Sequence, residues 1–343
     1  ISAGQTTTVN ATLAEEAVTM GEVVVRAERP IIDVRQTSSV SIMGKDQIDV
    51  LPVQELADIV NLQAGVVDGH FRGGRIGEVQ YQVDGVSVNN PFDNSSSLRL
   101  DRSLLQEVQV ISGTFDAEYG QAMSGVVNAV LRSGSEDAFE WNAELYGGDY
   151  FSPGNSRFPH LNRVNPVAVR SIQASVSGPT GLDKTTFLIG LRQYYNEGFL
   201  FGERKFMPGD TNDFQRRLFY PTGDRAIVPL GFTDEWSGQI KISNRSIREI
   251  QISYQAIGNV INSRHYQHSF RLNPDGAKKQ NSISFTHGID FTHTLSSASF
   301  YTINLRQNYY RYTDYVFEDV FDPLYIKYGQ PKEDIEKSLE NAA

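Results

Sequence analysis

The sequence predicts an α/β unit followed by antiparallel transmembrane β-barrel strands that are too few to close. Three observations predict it. Charge is asymmetric: residues 1–137 hold 19 acidic and 9 basic side chains, whereas residues 138–343 hold 22 of each. Aromatic residues are asymmetric the other way, with 5 of 37 before Ala138 (Phe71, Tyr81, Phe92, Phe115, Tyr119). The second part also alternates polar and apolar residues along segments whose connections run long, short, long, short. A boundary is expected at the turn-rich stretch Arg132-Ser133-Gly134-Ser135-Glu136-Asp137.

Composition narrows the classes. With 343 residues, 39% hydrophobic and 21% charged, the chain can bury a core. A net charge of −10 leaves no excess of Lys and Arg to neutralise phosphates, which argues against a nucleic-acid partner. The absence of Cys removes disulfides, zinc–thiolate sites and thiol nucleophiles. No apolar run reaches the roughly 20 residues of a membrane-spanning helix. The start Ile1-Ser2-Ala3-Gly4 has neither Met nor a leader pattern, so an exported form would have a leader removed or lying outside this chain.

In the second part, Phe139, Trp141, Ala143 and Leu145 interleave with Glu140, Asn142, Glu144 and Tyr146. Ile172, Ala174 and Val176 interleave with Gln173, Ser175 and Ser177; Phe187, Ile189 and Leu191 with Leu188, Gly190 and Arg192. The same period recurs at 236–243, 250–256, 283–292 and 301–310, giving about seven strands. Long loops are expected near 147–169, 196–233 and 263–279. Short turns are expected at Gly178–Gly181, Asn244–Ser246 and Leu295–Ala298. That alternation of loop length is the signature of an outer-membrane barrel. Tyr and Trp near strand ends (Trp141, Tyr194, Tyr195, Trp236, Tyr309, Tyr310) suit interfacial girdles. A soluble β-sandwich also alternates, but its core would not match a face as polar as Glu140, Glu144, Gln173, Arg192, Gln239, Lys241, Gln251, Asn304 and Arg306. The apolar set Ile172, Ala174, Ile189, Leu191, Ile240, Ile252 and Ile303 is expected to meet lipid. Seven strands cannot close a bacterial single-chain barrel, so further strands are expected beyond the last residue.

In the first part, residues 1–13 read as a strand remnant and Glu22–Arg26 as an extended segment stopped by Pro30. Ser39–Met43 is a short strand. Asp46 is expected to cap a helical turn toward Val50, and Pro52 to begin a helix through Gln54–Asn61. Val79–Val83 is a strand with an Asp84-Gly85 turn into Val86–Val88. Glu107–Ile111 and Val126–Leu131 are strands flanking the small-residue stretch Tyr119–Gly125. Together these make a compact α/β unit of about 100 residues.

Phe71-Arg72-Gly73-Gly74, then Val79–Val83 with Asp84-Gly85, then Leu105–Gly113, then Ala117–Tyr119-Gly120 through Ser124–Asn128 resemble, in that order, the plug of TonB-dependent outer-membrane receptors. The resemblance implies a tail of a carboxypeptidase-regulatory-like β-sandwich at 1–20, a TonB box and linker at 21–30, a plug domain at 31–136 and the N-terminal part of a barrel at 137–343. It implies that Glu22, Val23, Val24, Val25 and Arg26 are the TonB box gripped by a TonB-type energy-coupling protein in the periplasm. It implies that Asp68, His70, Asn89, Asn90, Phe92, Asp93 and Asn94 face outward and touch substrate, with Phe92 as anchor. A nutrient importer in the outer membrane follows as an expectation: no enzyme chemistry, no cofactor, outer-membrane lipid around the strands, the plug facing periplasm and lumen. The runner-up is a surface receptor or adhesin holding protein or polysaccharide on the same scaffold. Three departures stand: nearly all of the preceding β-sandwich domain and most of a barrel of roughly 22 strands are absent from the chain, and Gly113-Thr114-Phe115-Asp116 occupies the place of a common Gly-Pro.

Other constellations carry less. His265 and His268 lie three apart, with His287 and His293 in the next strand, but no carboxylate stands at helpful ligand spacing. Asp84 precedes a Gly and reads as a turn residue. No nucleophile elbow or phosphate-cradling loop is present. The second long loop mixes Arg204, Lys205, Arg216, Arg217 and Arg225 with Phe199, Phe201, Phe206, Phe214, Phe219 and Tyr220. Two readings stand level: an anionic or aromatic ligand, or a loop held by its own aromatics and by lipid phosphates.

Overall fold

The computed structural model describes residues 39–327, except 91–93, 114–118, 121, 154–157, 214 and 297. The chain divides into two compact units. One runs to Ser96 and resumes over Leu100–Arg132; the other takes in Ser97–Arg99 and everything from Ser133 onward.

The first unit is a five-stranded sheet with two short helices. Its strands are β1 (Ser39–Gly44), β2 (Val79–Val83), β3 (Val86–Ser87), β4 (Leu105–Ser112) and β5 (Gly125–Leu131), in the order β1-β4-β5-β2-β3. Only β2 and β5 run parallel. The Val-rich runs of β4 and β5 are central and buried on both faces, as such runs require: Val108, Val110, Val126, Val127, Ala129 and Leu131 form the core with Ile48, Ile59, Phe71 and Val79. Gly125 has to lack a side chain, because the ring of Phe71 occupies the space a Cβ would fill. Asp84 and Gly85 have φ of 50° and 80°, the pair a two-residue hairpin turn between β2 and β3 demands. The Asp84 carboxylate then accepts a hydrogen bond from the Leu131 amide at 3.0 Å, tying the turn to β5.

Both helix starts differ from expectation. α1 (Lys45–Asp49) has Gly44 as its N-cap, and Asp46 sits inside the first turn. α2 (Leu56–Asn61) begins four residues after Pro52, with Glu55 as N-cap. The Asp58 carboxylate reaches back to the Glu55 amide at 3.2 Å, so the free amides at this end select a local acceptor rather than the proline.

The second unit is a seven-stranded antiparallel meander: β6 (Glu140–Gly148), β7 (Val169–Pro179), β8 (Thr185–Asn196), β9 (Phe232–Asn244), β10 (Ile250–Arg264), β11 (Lys279–Ser296) and β12 (Ser299–Tyr315), paired in chain order. Its faces are inverted relative to a water-soluble sheet. Ser171, Gln173, Ser175 and Ser177 are buried on β7 while Ile172 and Val176 are exposed. On β8, Arg192 is buried and Leu191 is 63% exposed; on β9, Glu235, Gln239 and Lys241 are buried and Trp236 is 59% exposed. A soluble sandwich would show the reverse, whereas a membrane barrel puts its apolar face outward. Three residues of the expected polar face are not covered. Glu140 is exposed at the start of β6, an outermost strand of the sheet. Gln251 is exposed at the start of β10, beside a turn, and Asn304 is exposed on β12, which has a strand neighbour on one side only. No helix among the described residues is long and apolar enough to cross a membrane.

The inversion gives a direct test. A cysteine at Ile189 is expected to react with a lipid-soluble probe in membranes, and a cysteine at Arg192 to be shielded from it. Ile189→Arg should cost about 2–4 kcal/mol if the residue lies near mid-bilayer. Lack of lipid labelling at position 189 would reject the barrel assignment.

Candidate substrate and coupling site

In the first unit the expected site residues fall on two segments. Val66–Val67 and His70–Phe71 form a small hairpin, turned by Asp68 and Gly69 at φ of 48° and 78°. Phe71 enters the core while Asp68 and His70 stay exposed. The Gly69 amide donates to Asn61 Oδ1 at 2.9 Å, and His70 Nδ1 lies 2.8 Å from the Gly74 carbonyl. Arg72, at φ 48°, sends Nη2 to Ser39 Oγ at 2.9 Å and lies over Gly113, where a Cβ would approach Nη1 to 3.2 Å.

The second segment follows β3. Asn89 Nδ2 donates to the Val79 and Asn94 carbonyls, both at 2.8 Å, and its Oδ1 accepts from the Tyr81 amide at 2.7 Å. Asn94 Nδ2 donates to the Gly77 carbonyl at 2.6 Å, and Asn90 is buried. The amides of Asn89 and Asn94 are therefore engaged in fastening this loop to β2, a role invisible in a run of Asn and Ser. Asn89, Asn90 and Asn94 come together; Asp68 and His70 stand on a different hairpin. Phe92, Asp93 and the segment Glu22–Arg26 lie outside the described residues.

In the second unit the polar face carries a buried charge cluster. Glu235 is fully buried on β9, with Arg99 Nη1 at 3.0 Å from one oxygen and Arg192 Nη1 at 3.7 Å from the other. Arg192 also lies over the Tyr194 ring at 4.9 Å. The sequence pattern assigns Arg192 to the polar face but, starting this strand at Trp236, leaves out Glu235. Counting parity backward from Gln239 and Ser237 places Glu235 on the same face.

The long loops are stitched by ion pairs. Arg204 bonds Asp275 at 2.6 Å and Asp224 at 3.0 Å, Arg264 lies 3.8 Å from Asp275, and Arg225 lies 4.0 Å from Glu203. The Asp275 hydrogen bond holds the Arg204 guanidinium even more basic than usual. Burial opposes ionisation of Asp210, but the Thr222 hydroxyl and the Met207 and Thr222 amides outweigh it and keep this carboxyl below its ordinary value. Tyr150 meets Phe199 at a tilt with ring centroids 5.4 Å apart, and Phe158 meets it edge-on at 6.1 Å. Of this loop's basic residues, Arg204, Arg216 and Arg225 pair with carboxylates, partners that neither reading of the sequence names. Described histidines bond protein partners: His268 to Tyr266 at 2.7 Å, His287 to Gln307 and His293 to Tyr301 at 3.1 Å each.

A family model described as the TonB-dependent Receptor Plug Domain matches residues 33–127. The TonB-dependent transporter Oar of Myxococcus xanthus is 30% identical over 148 residues, covering 39% of this chain and 14% of that protein. The vitamin B12 transporter BtuB of Vibrio vulnificus is 29% identical over 135 residues, covering 35% and 22%. The chain thus matches less than a quarter of the length of these curated relatives. The crystal structure of the ferric yersiniabactin uptake receptor FyuA from Yersinia pestis superposes with a TM-score of 0.56 at 13% identity, over 81% of this chain and 41% of that one, a likeness of fold. Residues 33–127 are a TonB-dependent receptor plug domain, and the antiparallel strands that follow have the fold of a TonB-dependent receptor barrel.

Proposed function

We propose that this chain is the plug and first barrel strands of an outer-membrane importer for a scarce nutrient such as a siderophore, oligosaccharide or peptide. The observation that carries the reading is the pairing of a plug domain with a sheet whose apolar face is turned outward. Substrate enters from outside between loops and plug apices, the plug obstructs the lumen, and a TonB-type protein in the periplasm pulls on Glu22–Arg26 to rearrange it. Outer-membrane lipid surrounds the strands. The named relatives, a TonB-dependent transporter and a vitamin B12 transporter, support transport rather than catalysis.

The test is energy dependence. Cells carrying the protein are supplied with labelled ferric siderophores, oligosaccharides and peptides, with and without a protonophore. Accumulation of one class should collapse with the protonophore while surface binding persists; accumulation indifferent to the protonophore rejects coupling. For that ligand, Phe92→Ala and Asn90→Ala are expected to weaken binding by about tenfold, as for an anchor at the centre of a contact. Unchanged affinity in both variants would remove this loop from the site.

A further inference from the structure

We propose that the hairpin in the middle of loop 197–231 is a docking tip for a protein partner whose contact surface is an apolar cleft edged by carboxylates.

The loop is built as nested closures. Phe201–Glu203 pairs with Ile227–Pro229 at its base. Next come backbone bonds from Arg204 to Ala226 at 2.8 Å, Arg225 to Arg204 at 2.9 Å and Gly223 to Lys205 at 3.1 Å. Gly223 permits that approach, since a Cβ there would collide with the Arg204 carbonyl. Asp210 then clasps Thr222 through the Thr222 amide at 3.0 Å and its hydroxyl at 2.5 Å. Innermost, Asn212–Asp213 pairs with Leu218–Phe219. The base is braced by the neighbouring long loop: the Glu203 amide donates to the Arg271 carbonyl, those of Lys205 and Phe206 to Leu272, and Arg204 pairs with Asp275. A contact surface on such a base loses little freedom on binding.

What the tip presents is unusual for an exposed loop. Arg216, Arg217, Leu218, Phe219, Tyr220 and Pro221 are exposed in succession, with Leu218 at 45%, Phe219 at 50% and Tyr220 at 57%. Phe219 is braced edge-on by Phe206 at 6.5 Å. The nearby carboxylates are engaged within the loop: Asp210 by Thr222, and Asp213 by the Arg216 amide at 2.8 Å and its guanidinium at 3.8 Å. Arg217 makes no ion pair among the described residues and stands at φ 55°, where a glycine would be less strained. An aromatic–arginine cluster is the composition of a protein hot spot. Leu218 offers a sugar ring no planar face. The hairpin lies more than a dozen residues along the chain from the ends of β8 and β9, where interfacial aromatics belong. The Arg217 guanidinium, without an ion pair among the described residues, selects a partner whose apolar cleft has an acidic rim.

The test uses cells bearing the protein with a photo-crosslinking phenylalanine at Tyr220, and a control at Val164, exposed in another long loop. The expected adduct is a protein, formed more at 220 than at 164 and lost with Arg217→Glu. The purified partner should bind Arg217→Glu and Phe219→Ser at least about tenfold more weakly, and Arg163→Glu unchanged. Protease resistance equal to that of the parent shows that each variant is folded. A lipopolysaccharide or glycan adduct, no excess over position 164, or an affinity indifferent to Arg217→Glu overturns the proposal.

Discussion

Glu235→Ala is expected to destabilise the second unit by about 3–5 kcal/mol, because it removes the carboxylate facing a buried guanidinium. Glu235 has no solvent exposure and Arg192 only 3%, so neither charge can turn to water when its partner is removed. Arg99, at 42%, can be rehydrated and contributes less to the loss. The second arm of the test separates charge from packing. Arg192→Leu combined with Glu235→Leu removes both charges and should recover most of the loss, since a buried pair is often no more stable than the apolar groups that replace it. Urea unfolding of protein refolded in detergent reads both numbers. A single variant costing under about 1 kcal/mol, the scale of an exposed pair, would mean that water reaches Arg192 and that the cluster is not buried in the membrane-inserted protein.

This cluster also marks the edge of what was legible beforehand. The strands were legible because lipid imposes a rule with period two: a residue such as Ile172 or Leu191 must face outward and Gln173 or Arg192 must not. The loop lengths were legible because meander turns such as 245–249 need few residues and the opposite loops are unconstrained. Pairings across loops were not. Arg204 finds Asp275 across 71 positions, and no local pattern announces a partner that distance supplies. The start of α2 escapes the proline signal for a related reason, since the Asp58 carboxylate swings back to the Glu55 amide, whereas Gly44 caps α1 with no side-chain bond. In the plug loop, the resemblance implies asparagines that touch a ligand, and Asn89 and Asn94 also bond the backbone around β2. An amide binds a backbone or a sugar by the same donors and acceptors, so residue type alone does not separate the two roles.

Val24→Pro is expected to reduce uptake to background while leaving ligand binding intact. Glu22-Val23-Val24-Val25-Arg26 favours an extended backbone through its β-branched run. If the energy-coupling protein takes this segment as an added strand, affinity resides in backbone hydrogen bonds more than in side chains. Proline at 24 deletes one amide donor, fixes φ near −65° and restricts Val23 as well. Side-chain changes that keep the backbone, such as Glu22→Ala or Val24→Thr, should retain most uptake. That contrast distinguishes strand addition from side-chain recognition, in which Glu22→Ala would be as damaging as the proline. Binding is read on whole cells at low temperature with the same labelled ligand used for uptake, so that loss of transport is not confused with loss of the receptor. Uptake by Val24→Pro at the parental rate would place the coupling segment elsewhere in the chain. Equal loss in Val24→Thr would make side-chain packing, rather than the backbone, the means by which force is transmitted.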